Sequence, residues 1–348
     1  MTVQLEISTQ GRLGVIVLSR PEAINALSRE MIDGITGALA AWRDDPSVTA
    51  VLFEGNGPRG FCSGGDVRAA RSAVLAGRAD EADAYFAAEY AMNLVIATYD
   101  KPVVAFGHGA VMGGGIGIAG HARYRFTLPE ARFAMPESAI GFVCDIGVNA
   151  ILAQAPEHRA LAFLLSGLPV GPGDALVLGL TDARIEAGRL NDVRVGVAAA
   201  AASSDPDAAL VRLMQAESSE PGAATFCPDA DELADAFGGD TAGDIVAAVA
   251  EAAAVDPRFE RLATALSSRS PASLETILQG HRAARRRPDI AAVLDLDLRL
   301  ARYVSRQPDF AEGVRAVLVD KDQRPSWRPN TFEAVDRTGI AQVVAAAD

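Results

Sequence analysis

The chain has 348 residues, 49% of them hydrophobic and 22% charged, the balance of a folded chain long enough to bury a sizeable core. A formal net charge of −13 excludes the broadly basic surface that duplex nucleic acid or an anionic membrane needs, while leaving room for a small polyanion held by a local group of arginines. Cys62, Cys144 and Cys227 form neither a CxxC pair nor a disulfide framework, which predicts a reducing, cytoplasmic setting. The start, Met1-Thr2-Val3-Gln4-Leu5-Glu6, does not read as a signal peptide, and no window offers the roughly 18 uninterrupted apolar residues of a membrane span.

Residues 13–19 (Leu-Gly-Val-Ile-Val-Leu-Ser) read as a strand closed by Arg20-Pro21. A helix follows. Ser28 can cap it, Glu30 falls in its first turn, and Met31, Ile35, Leu39 and Trp42 form one apolar face before Asp44-Asp45-Pro46 ends it. Residues 48–54 read as a second strand, 55–65 as a loop crowded with Gly and Pro, and 67–98 as helical. A third strand over Val103–Gly107 precedes Gly113-Gly114-Gly115 and a short helix, and 123–127 reads as a fourth strand. Strands alternating with helices predict right-handed crossovers and an α/β sheet. Ser203-Ser204-Asp205-Pro206 and Ser218-Ser219-Glu220-Pro221-Gly222 read as linkers, and helices are expected over 231–237, 243–254 and 290–305. The predicted organisation is an α/β core over 1–225 with a helical region over 226–348 packed on it.

Gly55-Asn56-Gly57-Pro58-Arg59-Gly60 matches G-x-G-x-x-G after a strand, but Pro58 and Arg59 sit in the tight turn and no helix is expected at Gly60. A flexible loop is preferred to a dinucleotide site. Phe61-Cys62-Ser63-Gly64-Gly65-Asp66-Val67-Arg68 runs from loop into helix, and residues 109–117 repeat the idea around Gly113-Gly114-Gly115. The first amides of a helix lack partners, so two such starts can aim two N–H groups at one oxygen, an oxyanion hole. Close helix packing needs the same glycines, and spacing leaves both readings open.

Glu137 and Asp145 are two carboxylates in a run that is otherwise almost wholly apolar (residues 134–147). Apolar surroundings raise a carboxyl pKa toward the range of a general base; the alternatives are a helix-start acid after Pro136 and a turn acid before Ile146-Gly147. Glu89, in Ala84-Tyr85-Phe86-Ala87-Ala88-Glu89-Tyr90, reads by default as part of a solvated helix face. His108, His121, His158 and His281 are scattered, without HExxH or Cys/His ligand spacing, so no metal site is expected. No GxSxG elbow is present, and Cys144, lacking an evident base, reads as a small buried side chain.

Together these segments resemble the crotonase (enoyl-CoA hydratase/isomerase) superfamily, and most of all its 3-hydroxyisobutyryl-CoA hydrolase branch. Residues 20–27 are similar to the N-terminal signature, 60–68 to the first oxyanion loop, 112–117 to the second and 134–141 to the catalytic segment. Residues 310–322, with Trp327-Arg328-Pro329 after them, resemble the C-terminal segment of the hydrolase branch.

The resemblance implies an α/β crotonase (ClpP/crotonase-like) fold of repeated ββα units with a C-terminal helical region. It implies hydrolysis of an acyl-CoA thioester, with 3-hydroxyisobutyryl-CoA of valine catabolism as the leading substrate. Carried over by motif, Gly65 and Gly114 supply the oxyanion amides, Glu137 is the catalytic carboxylate, and Asp145 is its partner near the acyl hydroxyl or the water. Glu89 lines the acyl pocket and Arg68 lies near the CoA phosphates. No cofactor is implied beyond the CoA of the substrate, and relatives point to a homo-oligomer, a trimer or dimer of trimers. The superfamily's hydratases use a second glutamate just after the glycine run; here that place is Gly117, which favours hydrolysis over hydration. An enoyl-CoA hydratase/isomerase and a non-catalytic acyl-CoA-binding protein are the alternatives. The chain departs from the branch at Cys144, usually a proline, and at Val148-Asn149-Ala150-Ile151-Leu152-Ala153.

Overall fold

The computed structural model describes residues 4–287 and 289–346, so the first three residues of the N-terminal stretch read above lie outside it. In chain order the strands are β1 (Leu5–Gln10), β2 (Leu13–Leu18), β3 (Ala50–Gly55), β4 (Gly60–Cys62), β5 (Val103–Gly107), β6 (Ala110–Met112), β7 (Tyr124–Thr127), β8 (Arg132–Ala134) and β9 (Ala183–Arg184). The helices that carry the candidate site are α1 (Arg29–Arg43), α2 (Val67–Leu75), α3 (Ala79–Ala97), α4 (Gly114–Ala119), α5 (Val148–Leu152) and α6 (Glu157–Ser166).

The chain divides into two compact units: Met1–Gly65, Ala91–Phe133 and Val170–Ala224 form one, and Asp66–Tyr90, Ala134–Pro169 and Thr225–Asp348 the other. This differs from a single cut at 225. Segments 66–90 and 134–169 group with the C-terminal helices, although each leaves and re-enters the α/β part along the chain. Composition along a sequence has no means of revealing such an excursion.

The first unit holds a six-stranded sheet, ordered β1-β2-β3-β5-β7-β9, and β4 and β6 of a three-stranded one, ordered β4-β6-β8. β1 and β2 form an antiparallel hairpin; the other pairs of the large sheet are parallel, with Ile16 opposite Phe53 and Phe106 opposite Phe126. The strands expected over 13–19, 48–54, 103–107 and 123–127 are β2, β3, β5 and β7. β1 gives no strand signal in the sequence because five of its six residues are exposed, which erases the apolar alternation. The loop expected over 55–65 contains β4, and Gly60 opens that strand rather than a helix.

Alternate residues of the large sheet, among them Val15, Leu52, Val104, Phe106 and Phe126, bury one face against Val193, Val197 and Leu210 of the helices Leu190–Ala201 and Pro206–Glu217. Each such side chain contributes roughly 1.5–3 kcal/mol on full burial. The stretch 203–206 is less a linker than a cap, since Asp205 accepts from Ala208 N at the start of the second of these helices. α1 forms as expected: Ser28 accepts from Met31 N, and Met31, Ile35, Leu39 and Trp42 are buried.

In the second unit, the helix expected over 67–98 is broken at 76–78, where Gly77, at a left-handed φ of 73°, closes the end of α2 before α3 begins at Ala79. Residues 160–166 of α6 are all buried, packed among the helices Phe226–Glu232, Ala234–Phe237, Glu260–Ser267 and Pro271–Ala284. A file of aromatic rings, Phe86 to Phe142 and Phe142 to Phe310, both with centroids 5.2 Å apart, ties α3 to the 137–142 segment and the helix Pro308–Val314.

Candidate active site

In the first unit, β4 and β6 pair in parallel with Cys62 opposite Val111, so the glycine loops that follow them leave side by side. A Cβ on Gly64 would stand 3.7 Å from Gly114 N. Residues 20–27 are the scaffold of the first loop. Leu27 N donates to Gly64 O and Ser63 N to Ile24 O, each at 2.9 Å. Asn25, held in a left-handed backbone at φ 54°, donates its amide to Gly60 O and Phe61 O at 3.2 and 2.9 Å.

The two readings of the glycines divide between positions. Gly115 serves packing: a Cβ there would lie 2.5 Å from Cys62 O. Gly114 is the first residue of α4, where the N–H has no partner within the helix. Gly65 faces Leu27 in an isolated bridge that runs through Gly64 O, leaving the Gly65 amide outside that bond. Two neighbouring amides of this kind can polarise one carbonyl oxygen.

The second unit gathers the acids. A single 3-10 turn, Pro136–Ile140, carries Glu137 and ends at Gly141 in a left-handed conformation at φ 64°. Ser138 Oγ donates to Leu165 O at 3.0 Å and anchors the turn to α6. Asp145 follows on a second turn in which Ile146 has φ 57° and Gly147 φ 74°. A β-branched residue in the left-handed region is strained by roughly 1–3 kcal/mol, which persists only where the surroundings impose it. Tyr90, on α3, donates its hydroxyl to Asp145 Oδ2, and Cys144 Sγ lies 3.9 Å from Glu137 Oε2. Glu89, Glu137 and Asp145 are all buried, at 3%, 7% and 5% exposure, so Glu89 is not on a solvated face.

Burial dominates the titration of all three acids. Glu89 is pushed up to about 8 by desolvation and by the charge of Asp145, against a lowering hydrogen bond from Tyr85. Asp145 is pushed up to about 7 by desolvation, restrained by the Tyr90 hydroxyl. Glu137 is held well above the usual carboxylate range by desolvation, then by Asp145 and Glu89. The Cys144 thiol is likewise pushed up, chiefly by burial and then by Glu137, so it is no thiolate nucleophile. Three carboxyls in one apolar enclosure ionise in steps and form the kind of group that handles protons near neutral pH.

The structure therefore brings Glu89, Glu137 and Asp145 together in one unit and Gly65 and Gly114 together in the other. Arg68 is exposed in the first turn of α2. Among the described residues there is no group of three or more His, Cys, Asp or Glu that could hold a metal ion, and no helix long and apolar enough to cross a membrane.

Over residues 13–344 the chain matches the enoyl-CoA hydratase/isomerase family. It belongs to this family, the crotonases. A mitochondrial 3-hydroxyisobutyryl-CoA hydrolase of Gallus gallus is 32% identical over 332 residues, covering 94% of this crotonase and 85% of the relative. Among solved structures, a carnitinyl-CoA dehydratase from Mycobacterium thermoresistibile is 33% identical with a TM-score of 0.90, covering 100% of this chain and 98% of that one. An enoyl-CoA hydratase from Rhodobacter sphaeroides 2.4.1 is 32% identical with a TM-score of 0.89, covering 99% and 97%. The fold is the crotonase fold with a helical C-terminal region, as the resemblance implied.

Sequence reasoning missed several groups around the acids of this crotonase. Tyr90 has no signal of its own beyond following Glu89. Asp297, fully buried on the helix Ile290–Ser305, accepts from Gly147 N at 2.8 Å. Asn149 Nδ2 donates to Cys144 O at 3.2 Å, and Asn149 Oδ1 meets His281 Nδ1 at 2.9 Å. A signal for Asp297 was present: it interrupts the apolar stripe of Val293, Leu300, Ala301 and Val304 at helical spacing.

Proposed function

We propose that this crotonase hydrolyses acyl-CoA thioesters, with a short branched 3-hydroxyacyl-CoA as substrate class and 3-hydroxyisobutyryl-CoA as the first compound to test. The observation that carries the reading is the buried Glu137–Asp145 pair, combined with an α4 made only of Gly, Ile and Ala, which supplies no second carboxyl after the glycine run. The superfamily's hydratases place one of their two glutamates just after the glycine run, where this chain has Gly117, whereas thioester cleavage needs one carboxylate and a polarised carbonyl. The hydrolase name carried by the Gallus gallus relative supports the same choice.

In this reading the amides of Gly65 and Gly114 take the thioester oxygen and stabilise the charge that develops there; loss of one such donor typically costs about 10²–10³ in rate. Ionised Glu137 either removes a proton from water as its oxygen bonds to the carbonyl carbon, or bonds to that carbon itself, giving an anhydride that water then opens. Either way the carbon–sulfur bond breaks, sulfur leaves with the electron pair, and a proton returns to CoA as the thiol. Burial raises the basicity of Glu137, which suits the first route. Asp145 orients the water or the acyl hydroxyl, Glu89 lines the acyl pocket, and Arg68 offers a cation to the CoA phosphates. The protein acts without a cofactor, in the cytoplasm and as a homo-oligomer.

Thiol release from 3-hydroxyisobutyryl-CoA, followed with a thiol reagent beside hydration of crotonyl-CoA, tests the reading. Glu137→Gln should lower thiol release by about 10²–10⁴ while CoA-ester binding persists. Near-normal turnover in that variant sinks the assignment. The names of the two solved relatives favour a second reading, hydration or dehydration, which crotonyl-CoA turnover without thiol release would establish. Binding without either turnover would leave a non-catalytic acyl-CoA-binding protein.

A further inference from the structure

Asp145 sits on a turn that the chain does not adopt cheaply. Ile146 and Gly147 are consecutive left-handed residues, at φ 57° and 74°, and the first is β-branched. Local bonds account for part of the turn: Val148 N donates to Asp145 O at 3.1 Å and Ala150 N to Gly147 O at 3.0 Å. The rest comes from two helices distant in sequence. Asp297, with no exposed surface, accepts from Gly147 N at 2.8 Å. From the helix Pro271–Ala284, His281, equally buried, meets Asn149 Oδ1, and Asn149 in turn donates to Cys144 O. Because Cys144 O can only accept, the Asn149 amide nitrogen must face it and its oxygen must face His281. His281 is therefore protonated at Nδ1, and burial, pushing its pKa down to about 4, keeps the ring neutral. The turn is thus gripped at both ends by side chains that solvent does not reach.

We propose that Asp297 is a positioning residue for Asp145: by accepting the Gly147 amide it holds the left-handed turn and so keeps the Asp145 carboxyl on the Tyr90 hydroxyl, with Asn149 and His281 as the second grip. The role rests on the functional reading above only in its kinetic consequence; the grip itself is a structural statement. Burial raises the Asp297 carboxyl above its usual range and the charge of Asp145 adds to this, while the Gly147 amide and the Asn149 side chain oppose it; what the Gly147 N–H requires is an acceptor oxygen. An amide oxygen can replace it, and a hydrocarbon cannot.

The test compares Asp297→Asn with Asp297→Leu, reading kcat and KM for thiol release together with hydrogen exchange at the Gly147 amide. Asp297→Asn should keep kcat near wild type and the amide protected. Asp297→Leu should lose roughly 10²-fold in kcat, the scale of a misplaced reacting group, with KM little changed and the amide exchanging quickly. Unchanged kcat in Asp297→Leu, or an equal loss in Asp297→Asn, overturns the proposal. If Asp297→Leu does not fold, wild-type exchange decides: protection of Gly147 N–H like that of the sheet core supports the grip, and fast exchange overturns it. If the wild-type protein releases no thiol, the functional reading falls, and exchange at Gly147 in the wild type and both variants still decides the grip.

Discussion

Tyr90 donates its hydroxyl to Asp145 Oδ2 from the position on α3 that follows Glu89. The bond lowers the Asp145 carboxyl against the burial that raises it, as the Tyr85 hydroxyl does for Glu89. Asp145 has an oxygen donor that stabilises its charge and is pushed only to about 7. Glu89 reaches about 8, and Glu137, whose neighbour is the weakly donating Cys144 thiol, stands well above the usual range. The charge of Asp145 in turn raises the cost of ionising Glu89 and Glu137, so the three carboxyls titrate as a linked group.

Tyr90→Phe should move the ionisation of Asp145 upward. A hydrogen bond to a charged group is worth about 1.5–3 kcal/mol, and one pH unit corresponds to about 1.4 kcal/mol, so the shift should be about one to two units. The acid limb of the kcat/KM profile for thiol release should move to higher pH by that amount, with turnover recovering on the alkaline side. An acid limb that stays in place would show that Asp145 ionisation does not govern the reaction.

Glu89→Gln should change how stability responds to pH. The carboxyl titrates near 4.5 in the unfolded chain and near 8 in the folded one. Between those values the native state binds more protons, so the contribution of Glu89 is fully present below pH ~4.5 and is lost as pH rises toward 8. The glutamine variant, which has no charge to bury, should match wild type near pH 5 and exceed it near pH 9 by several kcal/mol, an order-of-magnitude figure shared with Asp145. Urea melts at the two pH values measure this. Equal differences at both would mean that Glu89 is solvated in the folded protein.

The legible parts of the molecule were those with local causes. Ser28 and the Met31–Ile35–Leu39–Trp42 face predicted α1, and the apolar runs of β2, β3, β5 and β7 predicted the large sheet. Glu137 and Asp145 were visible as acids in an apolar run. Glu89 was legible only through family resemblance, because α3 also carries Asp80, Glu81 and Asp83, and one more acid on such a helix looks solvated. The grips on the Asp145 turn were hidden for a simpler reason: Asp297 does interrupt an apolar stripe, but it lies 150 residues from Gly147, and His281 lies 132 from Asn149, so nothing local announces the partner that the packed helices bring near.

Three glycine-to-alanine variants separate backbone strain from steric approach in the first unit. Gly11, at φ +60° in the β1–β2 turn, has nothing within 4 Å of the place an added methyl would occupy, so Gly11→Ala should cost only the strain of a left-handed alanine, about 1–2 kcal/mol, and leave kcat alone. Gly64→Ala, at φ +117° with its nearest neighbour 3.6 Å away, carries strain at the loop itself and should lower both stability and kcat. Gly115→Ala places its methyl 2.5 Å from Cys62 O, a backbone atom that cannot swing aside, so the β4 and β6 loops must part. Its stability should fall by about 1–3 kcal/mol, and kcat by about 10²–10³ if the amide pair is what polarises the substrate. Urea melts and thiol-release kinetics on the same preparations give both readouts. A Gly115→Ala enzyme that is destabilised yet turns over normally would assign the glycine run to packing alone and remove the oxyanion role from Gly65 and Gly114.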